Sequence, residues 1–247
     1  MRRLLIVLFV LVVSPGIKTH AEDRIELISR AESRKGYFYI AGEEKPYTGV
    51  LIEFYENGQV KRRVDFAAGE VSGDAAWYYE NGQVKMEGSF REGKPYRGAL
   101  TEYYEDGGMR SVEHYEDGEK AGESVKYFED GRIESAEYYR NGELDGEVAE
   151  YYENRQRKVR ETYRDGDLVG ESVRYYEDGQ IESVEYYEDG RPEGKAVWYS
   201  IEGQIMKTEE YRDGELDGES VWYDEDGRVS EVEVYENGEY MDTQYFD

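Results

Sequence analysis

The chain has no cysteine, only 4 prolines and 2 histidines among its 247 residues, and just 7 phenylalanines beside 26 tyrosines. Without cysteine there is no disulfide framework, no zinc–thiolate site and no catalytic thiol. Positive charge is also scarce: 31 Lys and Arg face 58 Asp and Glu, for a formal charge of −27. So acidic a chain lacks the basic face that draws proteins to nucleic acid or to anionic lipid, and neither is an expected partner. Aliphatic residues are too few for a thick α/β core. Phosphate-loop, dinucleotide and metal-histidine patterns are missing as well, so no cofactor, no metal site and no catalytic residues are expected. Carboxylates are so frequent that no pair of them marks acid–base chemistry. His114 reads as a sheet-surface residue rather than a general base.

The one long apolar run is short by membrane standards. Arg2 and Arg3 precede Leu4 to Val13, Ser14-Pro15-Gly16 then breaks the run, and Thr19-His20-Ala21 ends on small residues. This order predicts a secretory signal peptide over residues 1–21, since a membrane span needs about 20 apolar residues. Its removal takes away Arg2, Arg3 and Lys18 and no acid, moving the charge from −27 to −30. The expected destination is the periplasm, the cell surface or the medium of a bacterium.

What the chain has in abundance is repetition. Glycines at 49, 73, 98, 122, 146, 170, 194 and 218 open eight units, spaced by 24 residues except for one interval of 25. With that glycine as position zero, position five is aromatic in every unit, from Phe54 to Tyr223, and position seventeen likewise, from Phe66 to Tyr235. Position twenty is always glycine, and position nine is glycine in all but one unit, where Arg155 stands. Each unit reads as two short strands. Ser124 to Phe128 leads through Glu129-Asp130-Gly131 into Ile133 to Tyr139, which ends at Asn141-Gly142. Asn-Gly and Asp-Gly between β-branched and aromatic runs are hairpin signals, because the turns they favour need positive φ. The expected fold is all-β: an elongated antiparallel meander of eight hairpin repeats over 49–241, advancing by about 9.6 Å per unit. Residues 22–48 read as an N-terminal cap or degenerate repeat, and 242–247 as a tail. Lys45-Pro46-Tyr47-Thr48-Gly49 recurs as Lys94-Pro95-Tyr96-Arg97-Gly98, which supports the degenerate-repeat reading. Arg24 to Arg34 is expected as one short turn or an extended cap.

A two-residue turn at positions eight and nine puts positions six, eleven and seventeen on one face and three, five and fourteen on the other; a three-residue turn reverses the parity. The first face carries the candidate aromatic surface Tyr55, Tyr79, Tyr104, Phe128, Tyr152 and Tyr176. Trp77, Trp198 and Trp222 join it from position four. Rings packed against the sheet with their hydroxyls in water suit both stability and recognition. The fifth unit departs from the pattern. Its run Asn154 to Arg160 supplies a candidate basic patch, Arg155, Arg157, Lys158 and Arg160. Glutamate holds position fifteen in six consecutive units, Glu113 to Glu233, a row that either keeps the sheet soluble or collects divalent cations weakly.

The run Tyr78-Tyr79-Glu80-Asn81-Gly82-Gln83-Val84-Lys85, followed by Phe90, Gly93 and Gly98, resembles the bacterial variant of the MORN repeat. The resemblance extends over 49–241 and implies the hairpin-sheet fold. It also implies a non-enzymatic scaffold that joins partners, or an antitoxin-like component that neutralises a toxin by binding it. The expected partner is therefore a protein or a cell-envelope polymer. The open sheet ends, set against the strong charge, predict a monomer or a weak end-to-end oligomer.

Overall fold

The computed structural model describes residues 24–246; the expected signal peptide lies outside the described residues. The chain forms one long open sheet of 24 strands with a separate two-stranded hairpin at its N-terminal end. Apart from a parallel first strand, Ile25–Leu27 against Gly49–Phe54, neighbours in the long sheet are consecutive antiparallel strands. The all-β hairpin meander expected from the repeats is what the structure shows. No α-helix occurs among the described residues.

The unit beginning at Gly122 illustrates how the sequence builds each module. Its first strand, Gly122–Tyr127, pairs with Ile133–Arg140, and a two-residue arm, Glu143–Leu144, returns along the end of the second strand. The turn at positions nineteen and twenty, Asn141-Gly142, has φ of 51° and 84°. Both residues are left-handed, as a two-residue type I′ turn demands, and Asn-Gly meets that demand at least cost. The same pair of positive angles recurs at Asp117-Gly118, Asp165-Gly166, Asp189-Gly190, Asp213-Gly214 and Asn237-Gly238.

The other turn differs from the expectation. Phe128 N–H donates to the Arg132 carbonyl and Gly131 N–H to the Phe128 carbonyl, enclosing a three-residue loop, Glu129-Asp130-Gly131. Only Gly131 has positive φ, because the Asp130 carboxylate accepts the Arg132 N–H and holds position eight in an ordinary conformation. A bulge follows at position twelve: Tyr127 pairs with Ile133, yet Lys126 pairs with Ser135. Position eleven is thereby moved across from position five. One face of the sheet carries positions zero, two, four, six, thirteen, fifteen and seventeen; the other carries one, three, five, eleven, fourteen and sixteen. The expected partnership of position eleven with six and seventeen is corrected accordingly, while three, five and fourteen do share a face.

Among the described residues the hydrophobic core cluster lies at the N-terminal end. Leu51, Val64, Phe66, Ala75 and Phe90 lie on the first face, with Ile40 and Tyr47 of the lead-in packed over them. Phe38 reaches Phe66 at 5.0 Å between ring centroids. The segment 24–34 is a strand, a single 3-10 turn at Ile28–Arg30 and a second strand. The recurring Lys-Pro-Tyr segments have one backbone hydrogen bond in common. Gly69 N–H donates to the Tyr47 carbonyl, and Gly118 N–H to the Tyr96 carbonyl. The last strand, Glu239–Tyr245, takes in most of the expected tail.

Candidate functional site

Farther along the sheet the apolar positions of the core give way to polar residues. Leu51 at position two becomes Ser124, Ser172 and Ser220, all buried, in the fourth, sixth and eighth units, alternating with Leu100, Val148 and Ala196, and Val64 at position fifteen becomes glutamate from the third unit onward. With no second layer among the described residues over these units, hydrogen bonds between neighbouring units take a larger share of the cohesion. The position-six tyrosines supply one set. Tyr55, Tyr79, Tyr104, Tyr152 and Tyr176 each donate a hydroxyl hydrogen bond of 2.6–2.8 Å to the position-five carbonyl of the next unit. The hydroxyls expected to stay wet are therefore structural stitches. Burial, reinforced by nearby carboxylates, raises the phenol pKa of Tyr104, Tyr152 and Tyr176. Phe128 has no hydroxyl to give. In the last two units Ser200 and Asp224 replace the ring and instead accept backbone N–H groups of their own loops.

The tryptophans share the first face with these rings and have partners of their own. Trp77 packs edge-on against Phe90 at 5.7 Å, as part of the N-terminal core. Trp198 and Trp222 flank Lys207, whose ammonium sits 5.3 and 4.8 Å from their rings and also pairs with the buried Glu209. The residues of the basic patch do not converge. Arg155 occupies the loop, Arg157 and Arg160 lie on the second face, and Lys158 lies on the first. Three of the four are paired locally: Arg157 with Glu147 at 3.3 Å, Lys158 with Glu150 at 3.1 Å, and Arg160 with Glu171 at 2.9 Å. No free basic patch results.

The glutamate row at position fifteen has a partner of its own. Tyr115, Tyr139, Tyr163, Tyr187, Tyr211 and Tyr235 at position seventeen each donate a hydroxyl to the glutamate two residues earlier. Burial first, and then the bonded carboxylate, pushes the phenols of Tyr115, Tyr163 and Tyr187 up to about 12. These carboxylates are engaged side by side, and no group of three or more acidic or histidine side chains among the described residues is placed to hold a metal ion. His114 Nδ1 lies 2.6 Å from the Glu123 carbonyl at the sheet surface.

What the new register does bring together is a strip on the second face. Position eleven carries Met109, Ile133, Ile181 and Ile205, which are 40–47% exposed. Each is a cross-strand neighbour of the half-buried position-five tyrosine of its own unit: Tyr103, Tyr127, Tyr175 and Tyr199. Tyr138 and Tyr186, about half exposed at position sixteen, extend the apolar area toward the other margin. Arg157 interrupts the strip, lying over the Tyr151 ring at 5.9 Å. Exposed apolar residues in regular succession mark interaction surfaces more often than scattered ones do. The apolar register at position eleven was visible in the sequence. Its face was not, because a bulge at a variable polar position leaves no fixed residue type behind.

The architecture is that of a repeat scaffold, an open sheet whose modules touch only their neighbours. Residues 47–68, 72–92, 168–190 and 216–237, falling in the first, second, sixth and eighth units, match the MORN repeat variant. The other four units keep the same glycine and aromatic registers and the same hairpin geometry. A search of curated proteins gives no match to the chain. No helix among the described residues is long and apolar enough to cross a membrane.

Proposed function

We propose that this chain is an exported, non-enzymatic scaffold that binds another protein along the tyrosine–aliphatic strip of its second face. The observation that carries this reading is the exposure of Met109, Ile133, Ile181 and Ile205 beside a tyrosine in unit after unit, where soluble sheets ordinarily place polar residues. The charged start and short apolar run of residues 1–21 support export. Matches to the MORN repeat variant support a joining role over a catalytic one. The strip suits a ladder of anchors on an extended partner, with the surrounding carboxylates forming a polar rim and favouring a partner of opposite charge.

The test is affinity capture from a cell-envelope extract with the processed chain and with the triple variant Ile133→Ser, Ile181→Ser, Ile205→Ser. Loss of a partner retained by the parent supports the reading. Equal recovery by both chains, with the variant's β-sheet circular dichroism intact, refutes it. The captured protein's identity then separates a toxin from a structural component of the envelope.

A further inference from the structure

One feature of the first face, opposite the strip, is left unused by that reading. At the junction of the fourth and fifth units a solvent-connected cavity of about 640 Å³ opens beside Phe128, the position where the tyrosine stitch is missing. Elsewhere in the run from Tyr55 to Tyr176 a phenol reaches the next unit's position-five carbonyl; here no phenol approaches Tyr151. Ser135, on the cavity wall, is 8% exposed, and its hydroxyl makes no hydrogen bond within the protein. A serine this far buried, with its hydroxyl unbonded by the protein and set in a cavity wall, points to a ligand that bonds it.

The walls specify what that ligand carries. Five glutamates face two lysines in the lining, and Lys158 is already paired with Glu150 at 3.1 Å. Glu134 and Glu177 have no ion-pair partner. The rings of Phe128 and Tyr152 provide apolar floor between these charges. Acceptors in excess, an aromatic floor and net negative charge fit an ammonium group on a flexible alkyl chain, through charge-assisted hydrogen bonds, cation–π contact and methylene packing. We infer that this cavity is a site for an alkylammonium, supplied either by a free linear polyamine or by the lysine side chain of a protein partner. Lys126 opposes such a ligand, whereas the charge of Lys158 is offset by Glu150.

Titration calorimetry of the intact chain with spermidine, and separately with an amidated tri-lysine peptide, tests the assignment. One saturable site per chain is expected for at least one of them: spermidine alone assigns the free polyamine, and binding of the peptide assigns a partner's lysine. Phe128→Tyr, which places a hydroxyl across the cavity, is expected to weaken binding at least about fivefold, as is the double variant Glu134→Gln, Glu177→Gln. Lys126→Met is expected to tighten it. The double variant Glu219→Gln, Glu231→Gln removes as much charge away from the cavity and is expected to leave the affinity unchanged. Absence of a one-to-one site for both ligands, or equal loss in the two glutamine doubles, overturns the inference. Weaker binding by Lys126→Met does so too.

Discussion

If the position-six hydroxyls hold the array together, deleting one changes stability by a definable amount and in a definable place. Tyr104→Phe removes only the oxygen that donates to the Tyr127 carbonyl at 2.6 Å. The ring stays, so packing is conserved, and the loss is one half-buried hydrogen bond, about 0.5–1.5 kcal/mol net. For a chain of this size that corresponds to a fall in Tm of roughly 2–4 °C per kcal/mol. Tyr152→Phe is expected to cost about the same, its donor–acceptor distance being 2.8 Å. Tyr138→Phe is the internal control, because that side chain is half exposed and its hydroxyl has no protein partner. Long repeat arrays need not unfold in one step. Urea unfolding is therefore best paired with native-state hydrogen exchange, which reports each junction separately. The exchange pattern carries the stronger prediction: Tyr104→Phe loosens amides of the third and fourth units and leaves the seventh and eighth unchanged. A fall for Tyr138→Phe equal to that for Tyr104→Phe, or a uniform loosening of all units, refutes the stitch. Phe128 already makes this substitution in the parent chain, so the junction of the fourth and fifth units is expected to be the first to exchange among the third to sixth.

Three further outcomes follow from the same structure. Arg155 holds φ of +74° at the loop position that is glycine in the other units, so Arg155→Gly is expected to stabilise the chain by about 1 kcal/mol, read by urea unfolding. Lys207→Ala removes the cation between two tryptophans and leaves buried Glu209 with the Tyr211 hydroxyl but no counter-ion; a loss of about 1–3 kcal/mol is expected, together with a change in tryptophan emission. Burial and a neighbouring glutamate lift the phenols of Tyr103, Tyr115, Tyr163 and Tyr187 to about 12 in the fold, against about 10 when unfolded. Because the folded pKa is the higher one, their contribution is full below about pH 10 and disappears as pH rises through about 12. A phenolate absorbance titration is expected to show these groups ionising late and together with loss of the sheet. Early, independent ionisation of every tyrosine refutes that linkage.

The repeat registers were legible because each rests on a steric demand that a residue type answers directly. Glycine at position twenty is required by a left-handed turn, and Asn or Asp before it is the residue that best shares that turn. The same two letters at positions eight and nine misled. There the Asx side chain accepts the N–H of position ten and stays right-handed, so Asn-Gly spells a three-residue loop. That one residue, with the bulge at position twelve, decides which face carries Ile133, Ile181 and Ile205, and hence where the candidate binding surface lies. Pairing of the basic patch was hidden for a related reason. Glu147 and Glu171 sit on the strands next to Arg157 and Arg160 but not directly opposite them, and only the folded geometry says which glutamate, among so many, each arginine reaches.

The preference for tyrosine over phenylalanine was itself a signal about the seams. A ring chosen only for packing is free to lose its hydroxyl, and the buried N-terminal core does use Phe66 and Phe90 at position seventeen. From the third unit onward the same position is tyrosine, and position fifteen changes to glutamate with it: Glu113 with Tyr115, Glu137 with Tyr139, and so on to Glu233 with Tyr235. The joint change marks where burial under a second layer ends and side-by-side hydrogen bonding within the sheet begins. At position six the acceptor is a backbone carbonyl 23 or 24 residues away, which leaves no trace in residue identity. Where the acceptor is a side chain the pair is readable from sequence. Where it is backbone, only the donor's persistence betrays it, and a single exception such as Phe128 then marks a junction built differently from its neighbours.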